Sequence, residues 1–272
     1  MAAKFACAQW PWGVETKEQF IQSCKDMSEV GYEYFESVKT FIDTFKDNPV
    51  EFKSICNDYN MHPISFYFHL TCDRQADIEE LKRKIDFVAD NGIKTICVQA
   101  GGFQPGAVAK PATEDELRDT LETINEYGRI CRPYGILPCV HPHHNTKVWY
   151  ENEIDFIMQN TDPDFIGFGP DTAHLTAGNC NAGEIFERYK DRIHFVHLKD
   201  LHGVIDSSGF EYGVEVYGNF REMGEGEVDF KPVFKALKSV NYDGYLTCEL
   251  DKTRFTNKES ARMNLEYLKK YY

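Results

Sequence analysis

The feature that most constrains the fold of this chain is a regular alternation of short apolar runs with longer amphipathic segments. Eight of the runs are typical of β-strands, and each is followed by a helix or a segment of helical length. Strands that alternate with helices pair in parallel, and eight such units in about 250 residues are typical of a (β/α)8 TIM barrel of the α/β class. The predicted strands cover residues 4–9, 32–37, 64–69, 95–99, 136–140, 165–169, 193–198 and 245–249.

Signals at the ends of the helical segments support this division of the chain. Four apolar residues recur at helical spacing before Gly31, a residue type that is common just past a helix end. Thr113 and Glu116 form a capping-box pattern at the start of a helix that ends before Gly135. The other predicted helices cover residues 17–30, 49–59, 76–91, 151–159, 182–189, 229–240 and 258–272.

An open, doubly wound sheet is the alternative architecture. It would carry a glycine-rich phosphate-binding loop directly after the first strand, and residues 9–13, Gln-Trp-Pro-Trp-Gly, do not form such a loop. No internal repeat and no linker divides the chain. We therefore predict one domain over residues 1–272, with a long connection over residues 201–227.

Composition excludes several classes of function. The net charge is −14, whereas a nucleic-acid-binding protein needs a basic surface. The nine cysteines are scattered and include no C-x-x-C pair, which is typical of reduced, buried thiols. No signal-peptide pattern opens the chain, and no apolar stretch approaches the roughly 20 residues that span a bilayer. The sequence predicts a cytoplasmic protein with neither nucleic-acid nor membrane partners.

Four residues of metal-ligand type lie at or near the ends of the fifth to eighth predicted strands. They are His141, Asp171, His197 and Glu249. Neighbouring strands lie roughly 5 Å apart, so these four side chains can converge on one ion at the end of a barrel that carries active sites. A mixed set of imidazoles and carboxylates suits Mn²⁺, Co²⁺, Fe²⁺ or Zn²⁺ better than Ca²⁺ or Mg²⁺. We predict a divalent metal ion, with Mn²⁺ preferred.

Strand alternation adds a constraint on the last two of these residues. Successive side chains of a strand point to opposite faces. If His197 and Glu249 point into the barrel, then His194 and Cys248 point toward the surrounding helices.

Each ligand type also has a structural explanation when it is taken alone. The segment that begins at His141, His-Pro-His-His, could be a surface loop, and Asp171, Asp200 and Asp251 could be helix caps. Four ligand types at four successive strand ends are much less expected by chance. The set as a whole therefore favours the metal site.

The motifs between Gly135 and Glu249 resemble the xylose-isomerase-like barrel superfamily of sugar phosphate isomerases and epimerases. They are His141-Pro-His143, Asp171-Thr-Ala-His174, residues 194–200 (His-Phe-Val-His-Leu-Lys-Asp), Gly224-Glu-Gly226 and residues 244–249 (Gly-Tyr-Leu-Thr-Cys-Glu). Residues 141–155 resemble the inosose dehydratase branch most closely.

The resemblance implies a divalent metal held by the strand-end residues, and the chain departs from the pattern at two positions. Many members carry a glutamate at the end of the fifth strand, where this chain has His141, and Glu151 is the alternative replacement. Trp149 stands where relatives with the His-Pro-His motif carry a carboxylate. The first departure weakens the case for ordinary ketose 3-epimerase chemistry, which uses two opposed glutamates, and the second weakens the case for inosose dehydration itself.

The resulting hypothesis is proton abstraction beside the carbonyl of a keto-sugar or cyclitol, with the ion stabilising the enediolate charge. Glu249, or a histidine of the His141 and His143 pair, is the predicted base. His143, His174 and Lys199 are the candidate acids for a leaving group. The outcome would be epimerisation, isomerisation or dehydration. Three aromatic residues could stack on a sugar or pack in the core, namely Trp10, Trp12 and Phe103.

Two rival classes of function remain open. The barrel also resembles that of DNA-repair endonucleases, which would make the protein a metal-dependent phosphodiesterase, although the acidic net charge opposes this. The protein could instead be a subunit of a keto-glycoside-cleaving lyase that acts only with a second chain. A homo-oligomer or hetero-complex is compatible with either enzymatic hypothesis.

Overall fold

Eight parallel strands form the wall of a barrel in the computed structural model, which describes residues 3–103, 110–203 and 216–272. Parallel bridges join Phe168 to Ile193 and Asp171 to His197, so the two edge strands of the sheet meet and the barrel closes. The predicted (β/α)8 barrel is confirmed. The barrel strands are β1 (Lys4–Ala8), β2 (Tyr34–Val38), β3 (His62–His69), β4 (Thr95–Gln99), β5 (Leu137–His141), β6 (Gly167–Phe168), β7 (Val196–Leu198) and β10 (Tyr245–Cys248).

Helices cover the outside of the barrel. Short 3₁₀ segments occur at Trp10–Trp12, Lys39–Phe41, Arg132–Tyr134, Lys190–Arg192 and Val216–Gly218. The α-helices are α1 (Lys17–Val30), α2 (Ile42–Phe45), α3 (Pro49–Asp58), α4 (Arg74–Asp90), α5 (Glu114–Cys131), α6 (Glu151–Gln159), α7 (Thr172–Ala177), α8 (Ala182–Tyr189), α9 (Phe230–Ser239) and α10 (Asn257–Tyr271).

Capping interactions set the helix ends that the sequence signals predict. The hydroxyl of Thr113 accepts a hydrogen bond from the backbone N–H of Glu116, whose carboxylate accepts one in return from the N–H of Thr113. Gly31 ends α1 with φ of 108°, in the left-handed region that glycine enters without a steric penalty. Local capping therefore explains why several helix bounds could be predicted closely.

Two strands are shorter than the sequence predicts by three residues each. Strand β6 covers only Gly167–Phe168, and β7 begins at Val196 rather than at Ile193. Phe165 and Ile166 instead donate backbone hydrogen bonds to the carbonyl of Asp162 in a turn. The apolar runs mark burial at these positions, and burial extends beyond the residues that pair as strands.

The core has an inner and an outer layer. The larger layer packs the outward side chains of the strands against the helices. The inner layer fills the barrel below the strand ends with Ala6, Ile64, Tyr67, Cys97, Cys139 and Phe195. Polar residues replace this apolar filling at the carboxyl ends of the strands, where a cavity opens.

The predicted connection over residues 201–227 is held to the end of the seventh strand. A short antiparallel pair joins β8 (Asp200–Leu201) to β9 (Phe220–Arg221). The Asp200 carboxylate accepts hydrogen bonds of 2.8–3.0 Å from the backbone N–H groups of Leu201, Gly224, Gly226 and Val228. Asp200 is therefore a loop anchor and not the helix cap considered above. Residues 204–215 of this connection lie outside the described residues.

All nine cysteines are free thiols, and eight of them are buried while Cys72 is exposed. This agrees with the prediction of reduced thiols. Across the three described stretches of the chain, none of the helices has both the length and the apolar character needed to cross a bilayer.

Candidate active site

A cavity of about 290 Å³ opens at the carboxyl ends of the strands. Aromatic rings and potential ligand side chains line it together, among them Trp10, Tyr67, His141, His197, Tyr217 and Glu249. A pocket of this kind, with convergent polar groups in a partly apolar wall, is the usual form of a small-molecule site.

Three of the four predicted metal ligands form one cluster. Asp171, His197 and Glu249 each offer a ligand atom, and these atoms all lie within 4.8 Å of one another. His197 Nδ1 is 3.9 Å from Asp171 Oδ2. All three residues are at most 4% exposed, so their charges act in a region of low dielectric constant.

The start of helix α7 orients Asp171. Its Oδ1 accepts hydrogen bonds of 2.8 Å from the backbone N–H groups of Ala173 and His174, which makes Asp171 the N-cap of α7. The helix cap considered above is therefore correct for Asp171, and it occupies only one of the two carboxylate oxygens. The other oxygen, Oδ2, is buried without a hydrogen-bond partner. A buried acceptor left in this state is costly unless a cation or a ligand reaches it.

His141 lies beside the same cluster. Its Nδ1 donates a hydrogen bond of 2.9 Å to the carbonyl of Gly169, which leaves the lone pair of Nε2 as the possible ligand. Burial lowers the pKa of His141 well below its usual range, so the ring is neutral. A second set of ligand atoms within 4.8 Å of one another comes from His141, Asp171 and His174.

Glu151 does not replace the missing fifth-strand glutamate. It is exposed on α6, where its Oε1 accepts a hydrogen bond of 2.6 Å from the guanidinium of Arg188. Of the two candidates, His141 alone lies at the strand ends.

The ammonium group of Lys199 lies in the middle of the buried carboxylates. Its Nζ forms a close ion pair with Glu249 and lies 3.1 Å from Asp251 Oδ2 and 3.6 Å from Asp171 Oδ2. Burial lowers the pKa of Lys199, but the carboxylates outweigh burial and the pKa is raised. Lys199 is therefore a fixed positive charge among these carboxylates.

The histidines that follow the fifth strand are buried rather than on a surface loop, which corrects that reading. His143 is 9% exposed and His144 is 3% exposed. His143 Nδ1 donates a hydrogen bond of 3.0 Å to the carbonyl of His144, and His174 Nε2 lies 3.2 Å from the Nζ of Lys199. Burial lowers the pKa of each of these histidines, so all are neutral.

Glu249 is a buried carboxylate of the cluster whose pKa lies near neutrality. Burial and then the charge of Asp251 raise the pKa of Glu249 to about 7, against the opposing effect of Lys199. Its Oε1 accepts a hydrogen bond of 2.7 Å from the indole N–H of Trp10. A carboxylate with a pKa near neutrality is suited to taking up and returning a proton.

The first four strands contribute residues that the sequence analysis missed. Glu36, in the middle of β2, accepts a hydrogen bond of 2.5 Å from His197 Nε2. The Tyr67 hydroxyl donates one of 2.6 Å to Gln99 Oε1 at the pocket wall. From the other end of the chain, Asp251 follows the last barrel strand and also lines the pocket. It caps no described helix. The sequence signal that could have revealed Glu36 is a carboxylate within the predicted strand 32–37.

The aromatic candidates divide between the pocket and the core. Trp10 lines the cavity, whereas the Trp12 indole donates to Asp26 Oδ2 at 2.9 Å, and neither Trp12 nor Phe103 lines the cavity. The alternation prediction fits Cys248, which packs in the outer layer, whereas His194 lies before β7 and is exposed.

The donor set fits a divalent transition-metal ion. Asp171 Oδ2 is buried without a partner, His141 Nε2 carries a free lone pair, and imidazole and carboxylate donors alternate around the cluster. Each side chain is held through its other polar atom, which is the usual arrangement around a metal ligand.

Comparison with known proteins gives the chain a family context. A family model described as "xylose isomerase-like TIM barrel" matches residues 24–271. An inosose dehydratase of Geobacillus kaustophilus is 29% identical over 248 residues, which cover 85% of this chain and 79% of that protein. An inosose dehydratase of Clostridium botulinum is 33% identical over 180 residues, which cover 61% of this chain and 60% of that protein.

Solved structures with low sequence identity share the fold. A D-allulose 3-epimerase from Methylomonas sp. in complex with D-allulose superposes with a TM-score of 0.78 at 17% identity, covering 100% of this chain and 98% of that one. The IolI protein with a bound zinc atom superposes with a TM-score of 0.77 at 15% identity, covering 99% of both chains.

Proposed function

Since the chain belongs to the xylose isomerase-like TIM barrel family, we propose that it is a divalent-metal-dependent enzyme that removes a proton beside the carbonyl of a keto-sugar or inosose. The family resemblance predicted from the motifs is confirmed, as is an enzyme of the sugar isomerase, epimerase or dehydratase group. The observation that carries the proposal is the buried cluster of Asp171, His197 and Glu249 at the open end of the barrel.

The proposed ligands are His141, Asp171, His197 and Glu249. When bound, the ion would act as a Lewis acid for the negative charge that develops on the carbonyl oxygen. We propose Mn²⁺ as the resident ion, with Co²⁺, Fe²⁺ and Zn²⁺ as alternatives that suit the same donors.

Glu249 is the proposed base. Its carboxylate faces the cavity, the Trp10 indole donates to Oε1, and burial raises the pKa of Glu249 to about 7, which suits it to take up the α-proton. In epimerisation or isomerisation the proton returns to the same or the neighbouring carbon. In dehydration, the electron pair left by the proton forms a double bond and expels a β-hydroxyl, which leaves as water.

The leaving hydroxyl requires an acid, and two histidines of the pocket are placed for that role. His143 and His174 line the cavity, and His174 Nε2 lies 3.2 Å from Nζ of Lys199. We propose that His174 protonates the leaving hydroxyl and that His143 orients the substrate hydroxyl. Lys199 stays protonated, and its ammonium stabilises negative charge that develops beside it.

The charges of the pocket favour an uncharged substrate. Lys199 is already surrounded by carboxylates, and no lysine or arginine is among the described residues that line the cavity. The three segments outside the described residues, 1–2, 104–109 and 204–215, contain no lysine or arginine in their sequence. A phosphate group would therefore meet negative charge, so the proposed substrate is a free keto-sugar or cyclitol.

The remaining predictions about the whole protein stand as proposals. We propose that residues 1–272 act as one domain in the cytoplasm. Assembly into a homo-oligomer, or into a complex with an unrelated chain, is a property that size-exclusion chromatography with light scattering can measure.

Proton exchange tests the proposed function. The protein is stripped with a chelator, reloaded separately with Mn²⁺, Co²⁺, Fe²⁺ or Zn²⁺, and incubated in D₂O with a panel of ketoses and keto-inositols. We expect deuterium to enter the α-carbon only in the metal-loaded protein, as followed by NMR. Asp171→Asn should abolish the exchange, whereas Asp77→Asn, which changes a buried carboxylate on α4, should not. Equal exchange after metal removal, or in Asp171→Asn, would overturn the proposal.

A further inference from the structure

Glu36 is a buried carboxylate on a strand that carries none of the motifs. It lies in the middle of β2, is 0% exposed, and is 161 positions from His197 in the sequence. Its backbone carbonyl accepts a hydrogen bond of 3.0 Å from the N–H of Gln9, just after β1. Pairing with β1 therefore holds the backbone of Glu36 in place.

The contact between Glu36 and His197 decides which ring nitrogen is available. Glu36 Oε2 lies 2.5 Å from His197 Nε2. An ionised carboxylate only accepts hydrogen bonds, so Nε2 carries the proton. His197 Nδ1, which lies 3.9 Å from Asp171 Oδ2, is therefore the atom that faces the other proposed ligands.

The surrounding rings hold the imidazole plane. Tyr67 stacks on His197 with a centroid distance of 6.1 Å and an interplanar angle of 4°. Phe195 contacts the same ring edge-on at 5.0 Å, and Trp10 does so at 5.9 Å. Apolar packing restricts the tilt of the ring, but it does not distinguish the two nitrogens. Glu36 supplies that distinction.

The burial of Glu36 is costly for the fold. Glu36 Oε1 is buried without a hydrogen-bond partner, and a carboxylate in this state carries a desolvation penalty. A residue of purely structural value at this position would be expected to satisfy both oxygens or to be apolar. Glu36 instead has a partner for Oε2 only, and that partner is the imidazole of His197.

We propose that Glu36 is the positioning residue that orients His197 and makes Nδ1 its metal-binding atom. This inference rests on the proposed function, because it assigns a role toward the ion held by His197. Glu36 acts only through His197 and does not touch the substrate.

Metal affinity of the chelator-stripped protein tests the inference. Zn²⁺ binding is measured by isothermal titration calorimetry for the wild type, Glu36→Gln, Glu36→Leu and the buried-carboxylate control Asp77→Asn. We expect Kd to rise about 10-fold in Glu36→Gln, which keeps an acceptor but loses the charge, and about 100-fold in Glu36→Leu, which leaves the Nε2 proton without an acceptor. The control should stay within about 2-fold of the wild type.

Histidine NMR provides a readout that a structural role would not change. Long-range ¹H–¹⁵N spectra of the Zn²⁺-loaded wild type should show His197 protonated at Nε2 and coordinated through Nδ1, with the signals assigned by their loss in His197→Gln. If Glu36→Leu does not fold, the affinity of Glu36→Gln and the wild-type spectrum still decide whether Glu36 orients His197. Coordination through Nε2, or variant affinities equal to that of the wild type, would overturn the role of Glu36 alone. A wild type that binds no divalent ion would overturn the proposed function as well.

Discussion

The indole Nε1 of Trp10 donates a hydrogen bond of 2.7 Å to Oε1 of Glu249, although the two residues are 239 positions apart in the sequence. The contact joins the segment after the first strand to the end of the last barrel strand. Those strands are neighbours only because the barrel closes, with Lys4 paired to Tyr245 and Cys7 to Cys248. Closure therefore brings a donor from the beginning of the chain to the proposed base.

Removing this hydrogen bond should impair turnover more than stability. We expect Trp10→Phe, which keeps an aromatic ring, to lower kcat/KM by about 10- to 100-fold, since hydrogen bonds to charged groups are worth about 1.5–3 kcal/mol. Trp12→Phe is the matched control, because the Trp12 indole also donates to a carboxylate, that of Asp26, away from the cavity. Steady-state kinetics on the substrate found by the exchange screen would measure both. Equal losses in the two variants would contradict a specific role for Trp10.

Metal binding should stabilise the wild type but not Asp171→Asn. The Asn side chain keeps the oxygen that caps α7, so the substitution removes the charge of Oδ2 without removing the cap. At a metal concentration 100 times Kd, binding adds about 2.7 kcal/mol to the free energy of unfolding, which raises Tm by roughly 5–10 °C. Thermal unfolding with and without Mn²⁺ or Zn²⁺ measures the difference. A similar increase in Asp171→Asn would remove Asp171 from the ligand set.

Asp200 should be important for stability. Its carboxylate accepts four backbone N–H groups, and an asparagine amide would present a donor to two of them. We expect Asp200→Asn to lower the free energy of unfolding by about 2–4 kcal/mol, as measured by urea denaturation. Asp229→Asn is the control, because Asp229 only caps α9 and asparagine caps helices equally well. A loss of less than about 1 kcal/mol in Asp200→Asn would contradict the anchoring role.

The buried His144 should make stability depend on pH. Burial, and then the charge of Lys199, lower the pKa of His144 to about 3, whereas an unfolded histidine titrates near 6.5. Below pH 6.5 the unfolded chain takes up a proton that the folded protein does not, so the stability present above pH 6.5 is lost as the pH falls. Between pH 7 and pH 5 this single group accounts for about 2 kcal/mol.

His144→Gln should reduce that loss of stability by about the same amount. Urea unfolding at pH 7, 6 and 5 in the presence of a chelator would measure it, with His202→Gln as the exposed control. An unchanged pH dependence in His144→Gln would show that His144 is protonated in the folded protein.

Much of the barrel could be predicted because its signals are local. The bounds of α1, α6, α8 and β4 agree with the sequence prediction, since spacing, caps and breakers act within a few residues. The ends of β6 and β7 could not be predicted as well. At those positions burial and strand pairing stop at different residues, and an apolar run reports only burial.

By itself, the sequence determined the barrel and the order in which His141, Asp171, His197 and Glu249 follow its strands, because residue type and period specify the order of the strands and which side chains share a face. Only the tertiary structure decided which partners those residues have. It placed Trp10 on Glu249, Glu36 on His197 and Glu151 on the surface. These contacts join segments 161 and 239 positions apart, and they depend on closure and register of the whole barrel, which no local pattern encodes.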